Sequence, residues 1–103
     1  MIELYRGTTP ELAITLPEDV DLSTVLACWI FFYQQGRITL EKESPFTVEG
    51  QTILFDLEQE DTMKLLAGKG KFQMRLLLAD QEAYITDELD CKIGDAKKGG
   101  KIT

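Results

Sequence analysis

Short segments in which every second residue is apolar recur along most of this chain. The clearest examples are Leu12–Leu16, Ile53–Leu57, Phe72–Leu78 and Leu89–Ile93. A β-strand sends successive side chains to opposite faces, so this spacing is typical of strands that bury one face and leave the other in solvent. The pattern predicts a protein built mainly from strands.

Shorter segments complete this pattern. Further strands are predicted at Ile2–Tyr5, Ile38–Glu43 and Ala83–Thr86. Turn residues separate the strands at Gly7–Pro10, Gln35–Gly36, Glu49–Gly50 and Asp80–Gln81. Two segments favour about one helical turn each, Asp21–Thr24 and Gln59–Leu66, the second closed by Gly68. Seven or eight short strands at this spacing predict an all-β protein, an antiparallel β-sandwich.

The size and composition of the chain fit one domain with a core of its own. It has 103 residues, of which 44% are hydrophobic. Single domains cluster near about 100–150 residues. We assign residues 1–94 to one sandwich domain and residues 95–103 to a basic C-terminal tail rich in Gly and Lys, which either is a mobile end or forms a last short strand at Lys101–Thr103.

Several classes of function are excluded or disfavoured by composition. The chain has no histidine, which is the most common general base and metal ligand, and its net charge is -7. We therefore expect no catalytic residue, no cofactor, no metal site and no nucleic-acid partner. With no export signal in view, Cys28 and Cys91 are interpreted as two buried thiols ahead of a disulfide.

The segments of this chain that are similar to known chemical motifs lack the spacing or the partner residues that those motifs need. The acidic clusters Glu18–Asp21, Glu58–Asp61 and Asp87–Asp90 do not have the spacing of a calcium-binding loop, and we interpret them as solvated loop carboxylates. Gly68–Lys71 lacks the spacing of a phosphate-binding loop and is interpreted as a turn. No histidine is available to activate Ser23. The chain is therefore not expected to be an enzyme.

Targeting segments are not expected either. The N-terminal residues have no basic region followed by an apolar stretch, so no signal peptide is predicted. The longest apolar run, Val25–Tyr33, has nine residues, whereas a membrane helix needs about 20. We expect no membrane partner.

The segment Ala27–Tyr33 is unusual because both of its faces are apolar. As a strand it places Cys28, Ile30 and Phe32 on one face and Trp29, Phe31 and Tyr33 on the other. A two-layer sandwich buries only one face of each sheet. Whichever of these two sets faces the core, the other set places bulky apolar side chains on the outer face, where loops or a protein partner would cover them. The candidate interface consists of Trp29, Phe31, Tyr33, Leu54 and Leu77, the two leucines being out of phase with the core residues of their strands.

Several of these segments together resemble a known group of proteins. The matching residues are Tyr33–Gly36, Ile38–Leu40, Ile53–Thr62 with its motif Gln59-Glu60-Asp61-Thr62, Lys71–Leu76 and the turn at Asp80. The chain, over about residues 10–94, resembles small immunoglobulin-like proteins encoded in phages and prophages of Gram-positive bacteria. These are similar to the N-terminal domain of baseplate upper proteins.

The resemblance implies a virion structural protein of the tail or baseplate. It would have an immunoglobulin-like fold and no cofactor, and it would assemble with itself or with another phage structural protein. It would be found in the virion, or in the bacterial cytoplasm during assembly. The alternative is a carbohydrate- or ligand-binding module in which Trp29, Phe31 and Tyr33 stack on sugar rings.

Overall fold

The computed structural model describes residues 2–79 and 82–95. These residues form nine strands, one short helix and a 3-10 turn over Leu22–Thr24. The strands and the helix are β1 (Ile2–Tyr5), β2 (Glu11–Thr15), β3 (Val25–Gln34), β4 (Arg37–Glu43), β5 (Thr47–Glu49), β6 (Thr52–Asp56), α1 (Gln59–Met63), β7 (Gly68–Leu78), β8 (Ala83–Ile85) and β9 (Leu89–Gly94).

The described strands form two sheets. The larger sheet has the order β1-β9-β7-β3-β4, and β8 pairs with the C-terminal end of β7. The smaller sheet has the order β2-β6-β5. All pairs are antiparallel except β1 with β9, which is parallel. The prediction of an all-β, immunoglobulin-like sandwich is confirmed.

The core lies between the two sheets and contains the alternating apolar residues. Phe72 of the larger sheet is fully buried, with its ring centroid 5.0 Å from Phe32 and 6.0 Å from Phe55 of the smaller sheet. Because Phe55 and Phe72 stack at an interplanar angle of 14°, their rings join the two layers directly.

Two strand segments differ from the sequence prediction. Gly68–Lys71 is the first part of β7 and pairs with β9, so its interpretation as a turn is wrong. Gly70 shows the reason: a Cβ there would lie 2.6 Å from Cγ of Gln34 and 2.7 Å from the carbonyl oxygen of Tyr33. Glycine allows the close approach of two backbones within the sheet. β5 was not predicted, because all three of its residues are exposed and carry no apolar alternation.

Both predicted helical segments exist, in short form. The Asp21 carboxylate accepts a hydrogen bond from the Ser23 amide at the start of the 3-10 turn, as expected for a cap. The helix α1 ends at Met63, before the predicted Leu66. The tail assigned to residues 95–103 lies, from residue 96 onward, outside the described residues, and so does the predicted turn at Asp80–Gln81.

Candidate functional site

The aromatic strand β3 buries its Cys28, Ile30 and Phe32 face against the smaller sheet. These three side chains are fully buried. Its other face points away from the core, where Trp29 and Phe31 are half-buried and Tyr33 is 49% exposed. The sequence left open which face of this strand is inside, and the structure settles the question.

Neighbouring strands extend this aromatic row into a continuous surface. Ile38 of β4 pairs with Tyr33 and is 44% exposed, while Leu77 of β7 pairs with Ala27 beside Trp29. Ile85 of β8, which pairs with Arg75, is 55% exposed. We define the outer patch as Trp29, Phe31, Tyr33, Ile38, Leu77 and Ile85.

The expectation that Leu54 joins this surface is wrong. Leu54 lies on β6 in the smaller sheet, where it pairs with Ala13 and Thr47. Its neighbours Ile53 and Phe55 point into the core, so Leu54 points out on the opposite side of the sandwich. The alternation of apolar residues along a strand indicates whether a side chain points inward or outward. It does not indicate which of the two sheets the strand belongs to.

A depression lies within the outer patch. It has a volume of about 380 Å³ and is lined by Trp29, Phe31 and Leu77, with the charged side chains of Glu41 and Arg75 at its border. The aromatic rings of this depression can pack against apolar groups of a partner, while the carboxylate can accept hydrogen bonds and the guanidinium can donate them.

A second depression, of about 460 Å³, lies at one end of the larger sheet. Tyr33, Gly70 and Cys91 line it, together with Lys71 and Asp90, which form an ion pair with each other. Both charged side chains are well exposed, so this ion pair contributes little to stability.

The Gln59-Glu60-Asp61-Thr62 motif has a structural role, because Asp61 and Thr62 form hydrogen bonds within the fold, and it lies outside the outer patch. Asp61 is 7% exposed, and its Oδ2 atom accepts hydrogen bonds from Lys42 Nζ at 2.8 Å and from the Glu58 amide at 2.9 Å. Thr62 is fully buried, and its hydroxyl oxygen accepts a hydrogen bond from the Gly7 amide. The interpretation of Glu58–Asp61 as solvated loop carboxylates is therefore wrong for Asp61.

Gln34, within the Tyr33–Gly36 segment, is also structural. Its side chain is buried and pairs with both backbone groups of Leu66, donating to the carbonyl and accepting from the amide. A third hydrogen bond comes from the hydroxyl of Thr39. These bonds fix the loop after α1 to the C-terminal end of β3, because a buried amide group needs partners for its polar atoms.

Both cysteines are buried and neither forms a disulfide. Burial raises the pKa of the Cys28 thiol to about 11 and also raises the pKa of the Cys91 thiol, to which the charge of Asp90 adds. The thiolate is the reactive form, so both groups are poor nucleophiles in the folded protein.

We therefore expect both thiols to react slowly with a disulfide reagent in the native state and completely after denaturation. Cys91 should react before Cys28, because both thiols belong to the core but only Cys91 also lines the second depression. Titration of Cys28→Ser and Cys91→Ser variants assigns the two phases. Fast native reaction of both thiols would contradict the prediction.

Within residues 2–79 and 82–95, no group of three or more His, Cys, Asp or Glu side chains is placed to bind a metal ion. Nor do these ranges hold a helix with the length and apolarity needed to span a membrane.

Comparisons with known proteins give structural matches without sequence matches. No family model matches the chain, and no curated protein matches it. The crystal structure of CopC from Methylosinus trichosporium OB3b covers 95% of this chain and 89% of its own, with 10% identity and a TM-score of 0.51. Drosophila OTK, extracellular domains 3-5, covers 93% of this chain and 32% of its own, with 11% identity and a TM-score of 0.34. At such low identity the similarity to CopC supports the fold alone.

Proposed function

We propose that this chain is a non-enzymatic structural protein of a phage or prophage, associated with the tail or baseplate, and that it acts by protein–protein assembly. The observation that carries the assembly role is the outer patch. Contiguous apolar surface on a folded protein usually marks an interaction site. Here it lies on the outer face of the larger sheet, between Glu41 and Glu43 on β4 and Arg75 on β7.

The phage context rests on the resemblance carried by Tyr33–Gly36 and Gln59–Thr62. Gln34, Asp61 and Thr62 hold the scaffold together, so these segments support a shared fold more directly than a shared partner. Detection of this chain by peptide mass spectrometry in purified virions from the bacterium that encodes it would support the virion role. Its absence from complete virions would contradict that role and leave the assembly role to be tested separately.

The assembly role predicts that removing the aromatic groups of the outer patch weakens association without unfolding the protein. For Trp29→Ser combined with Phe31→Ser, we expect a loss of about tenfold or more in affinity, because large aromatic side chains dominate interface energies. Size exclusion coupled to light scattering over a range of concentrations measures the effect for self-association.

Leu54→Ser is the matched control, since Leu54 is half-buried on the outer side of the other sheet. Far-UV circular dichroism of each variant checks that the fold is kept. Equal loss of association in Leu54→Ser and in the double variant would contradict a role specific to the outer patch.

A carbohydrate- or ligand-binding module is the second candidate. It is favoured by the depression in which Trp29 and Phe31 lie beside Glu41 and Arg75, since sugar sites combine aromatic faces with polar groups. Trp29 is the single tryptophan of the chain, so its fluorescence reports directly on this site. A saturable change in Trp29 emission on addition of glycans to a monomeric protein would favour this candidate over assembly.

A further inference from the structure

The outer face of the larger sheet carries opposite charges on the two sides of β3. Arg75 on β7 lies beside Trp29, and Glu43 on β4 lies on the other side of Trp29. Two residues further along β3, Glu41 of β4 lies beside Phe31. Across β7, β3 and β4, this face therefore has a cationic strand, an aromatic strand and an anionic strand in that order.

This face is balanced in charge although the whole chain is acidic, with a net charge of -7. Strand phase and register place four cationic and four anionic side chains of the described strands on this face. They are Lys69, Lys71, Arg75 and Lys92, and Glu3, Glu41, Glu43 and Asp90. Two copies can therefore approach through this face without the repulsion that the rest of the acidic surface would cause.

Three of the charged side chains next to the aromatic row have no ion-pair partner within the part of the chain that the structure describes. The ion pairs there are Arg6 with Asp95, Lys42 with Asp61 and Lys71 with Asp90. Arg75, Glu41 and Glu43 are exposed and take part in none of them. They are available to an outside partner.

The order of the three strands determines which self-pairing is favourable. Packing two copies face to face with a two-fold axis along β3 superposes β3 on its copy and places β7 of each copy over β4 of the other. Arg75 then faces Glu43 of the second copy, twice by symmetry, and the aromatic rows pack between them. A two-fold axis perpendicular to the strands would instead place β7 over β7, with Arg75 and Lys71 facing like charges.

We infer that the partner of the outer patch is a second copy of this chain, bound in a two-fold arrangement in which Arg75 pairs with Glu43 across the interface. This inference rests on the proposed assembly function and specifies its partner. Aligned packing of sheets at about 10 Å spacing, with a twist of about 30°, leaves these long side chains within reach of each other.

A charge exchange tests the arrangement. Arg75→Glu alone and Glu43→Arg alone each create two like-charge contacts in the dimer, so we expect self-association of each to weaken by about tenfold or more. An equimolar mixture of the two variants restores both contacts, one with the original sign and one with the reversed sign, and we expect a one-to-one heterodimer, identified by native mass spectrometry. The double variant Arg75→Glu with Glu43→Arg should form a homodimer again.

Glu49→Arg is the control, because it makes the same charge change as Glu43→Arg at an exposed position of the smaller sheet. The double variant also shows whether both substitutions are tolerated by the fold. Failure of the mixture to form a heterodimer, or single variants that associate like the wild type, would overturn the inference.

The outcomes separate this inference from the proposed function. If the wild type is monomeric at every concentration, the two-fold dimer is overturned, and assembly would then require a different protein as partner. If association is lost in the Trp29→Ser, Phe31→Ser variant but unaffected by the charge exchange, the outer patch is the interface and the Arg75–Glu43 arrangement is overturned.

Discussion

Replacing Phe72 with alanine should lower the free energy of unfolding by about 3–5 kcal/mol. Phe72 is fully buried and contacts rings from both layers, Phe32 in its own sheet and Phe55 in the opposite one. Truncation removes the apolar contact and leaves a cavity at the centre of the sandwich. A domain of this size has a total stability of about 5–15 kcal/mol, so the variant should be close to unfolding at physiological temperature.

Urea unfolding followed by circular dichroism measures this loss. Phe72→Leu is the conservative comparison, and we expect it to cost less because it fills most of the same volume. Leu54→Ala, at a half-buried position of the smaller sheet, serves as the control for a truncation outside the core. A loss for Phe72→Ala no larger than that for Leu54→Ala would show that the layers are not joined through these rings.

The alternation of apolar residues was sufficient to predict most strands and the inward face of each. Each of the four clearest segments overlaps a strand with buried alternate residues, as Ile53 and Phe55 of β6 illustrate. The prediction succeeds because burial of one sheet face imposes a period of two on the sequence.

Ile38 shows why part of the outer patch could not be predicted. Ile38 and Leu40 are two residues apart, so a regular strand would send both to the same face. The register of β3 and β4 shifts between Phe32 and Tyr33, which places Leu40 beside the inward Phe32 and Ile38 beside the outward Tyr33. A bulge of this kind depends on the pairing of two strands, and the sequence of β4 alone does not indicate it.

Arg75 and Glu43 show a second limit. The sequence places each on the outward face of its strand, but their position on either side of Trp29 follows from the order β7-β3-β4 in the sheet. Strand order in a sandwich is set by contacts between residues distant in sequence, which periodicity does not encode.

The buried carboxylate of Asp61 leads to the second large effect, a dependence of stability on pH. Burial by itself would raise the pKa of Asp61, but the hydrogen bonds from Lys42 and the Glu58 amide, with the charges of Lys42 and Lys64, outweigh burial and lower it. The folded protein therefore binds a proton at this site more weakly than the unfolded chain. The resulting stabilisation is complete above the ordinary pKa of aspartate, about 4, and is lost as the pH falls through the lower folded value.

Asp61→Asn should therefore destabilise the protein by about 2–3 kcal/mol near neutral pH, because it leaves the half-buried Lys42 ammonium without its partner. The variant should also lose less stability than the wild type between about pH 6 and about pH 3, since the titrating group is gone. Urea unfolding at a series of pH values measures both effects.

A double-mutant cycle with Lys42→Met separates the ion pair from the helix cap. In Asp61→Asn the amide oxygen of the new side chain can still accept the hydrogen bond from the Glu58 amide, so the coupling between the two substitutions reports on the Lys42 contact. We expect the double variant to be more stable than the sum of the single losses predicts, because it removes the unpaired charge. Stability curves that run parallel in wild type and Asp61→Asn over this pH range would contradict a lowered pKa at Asp61.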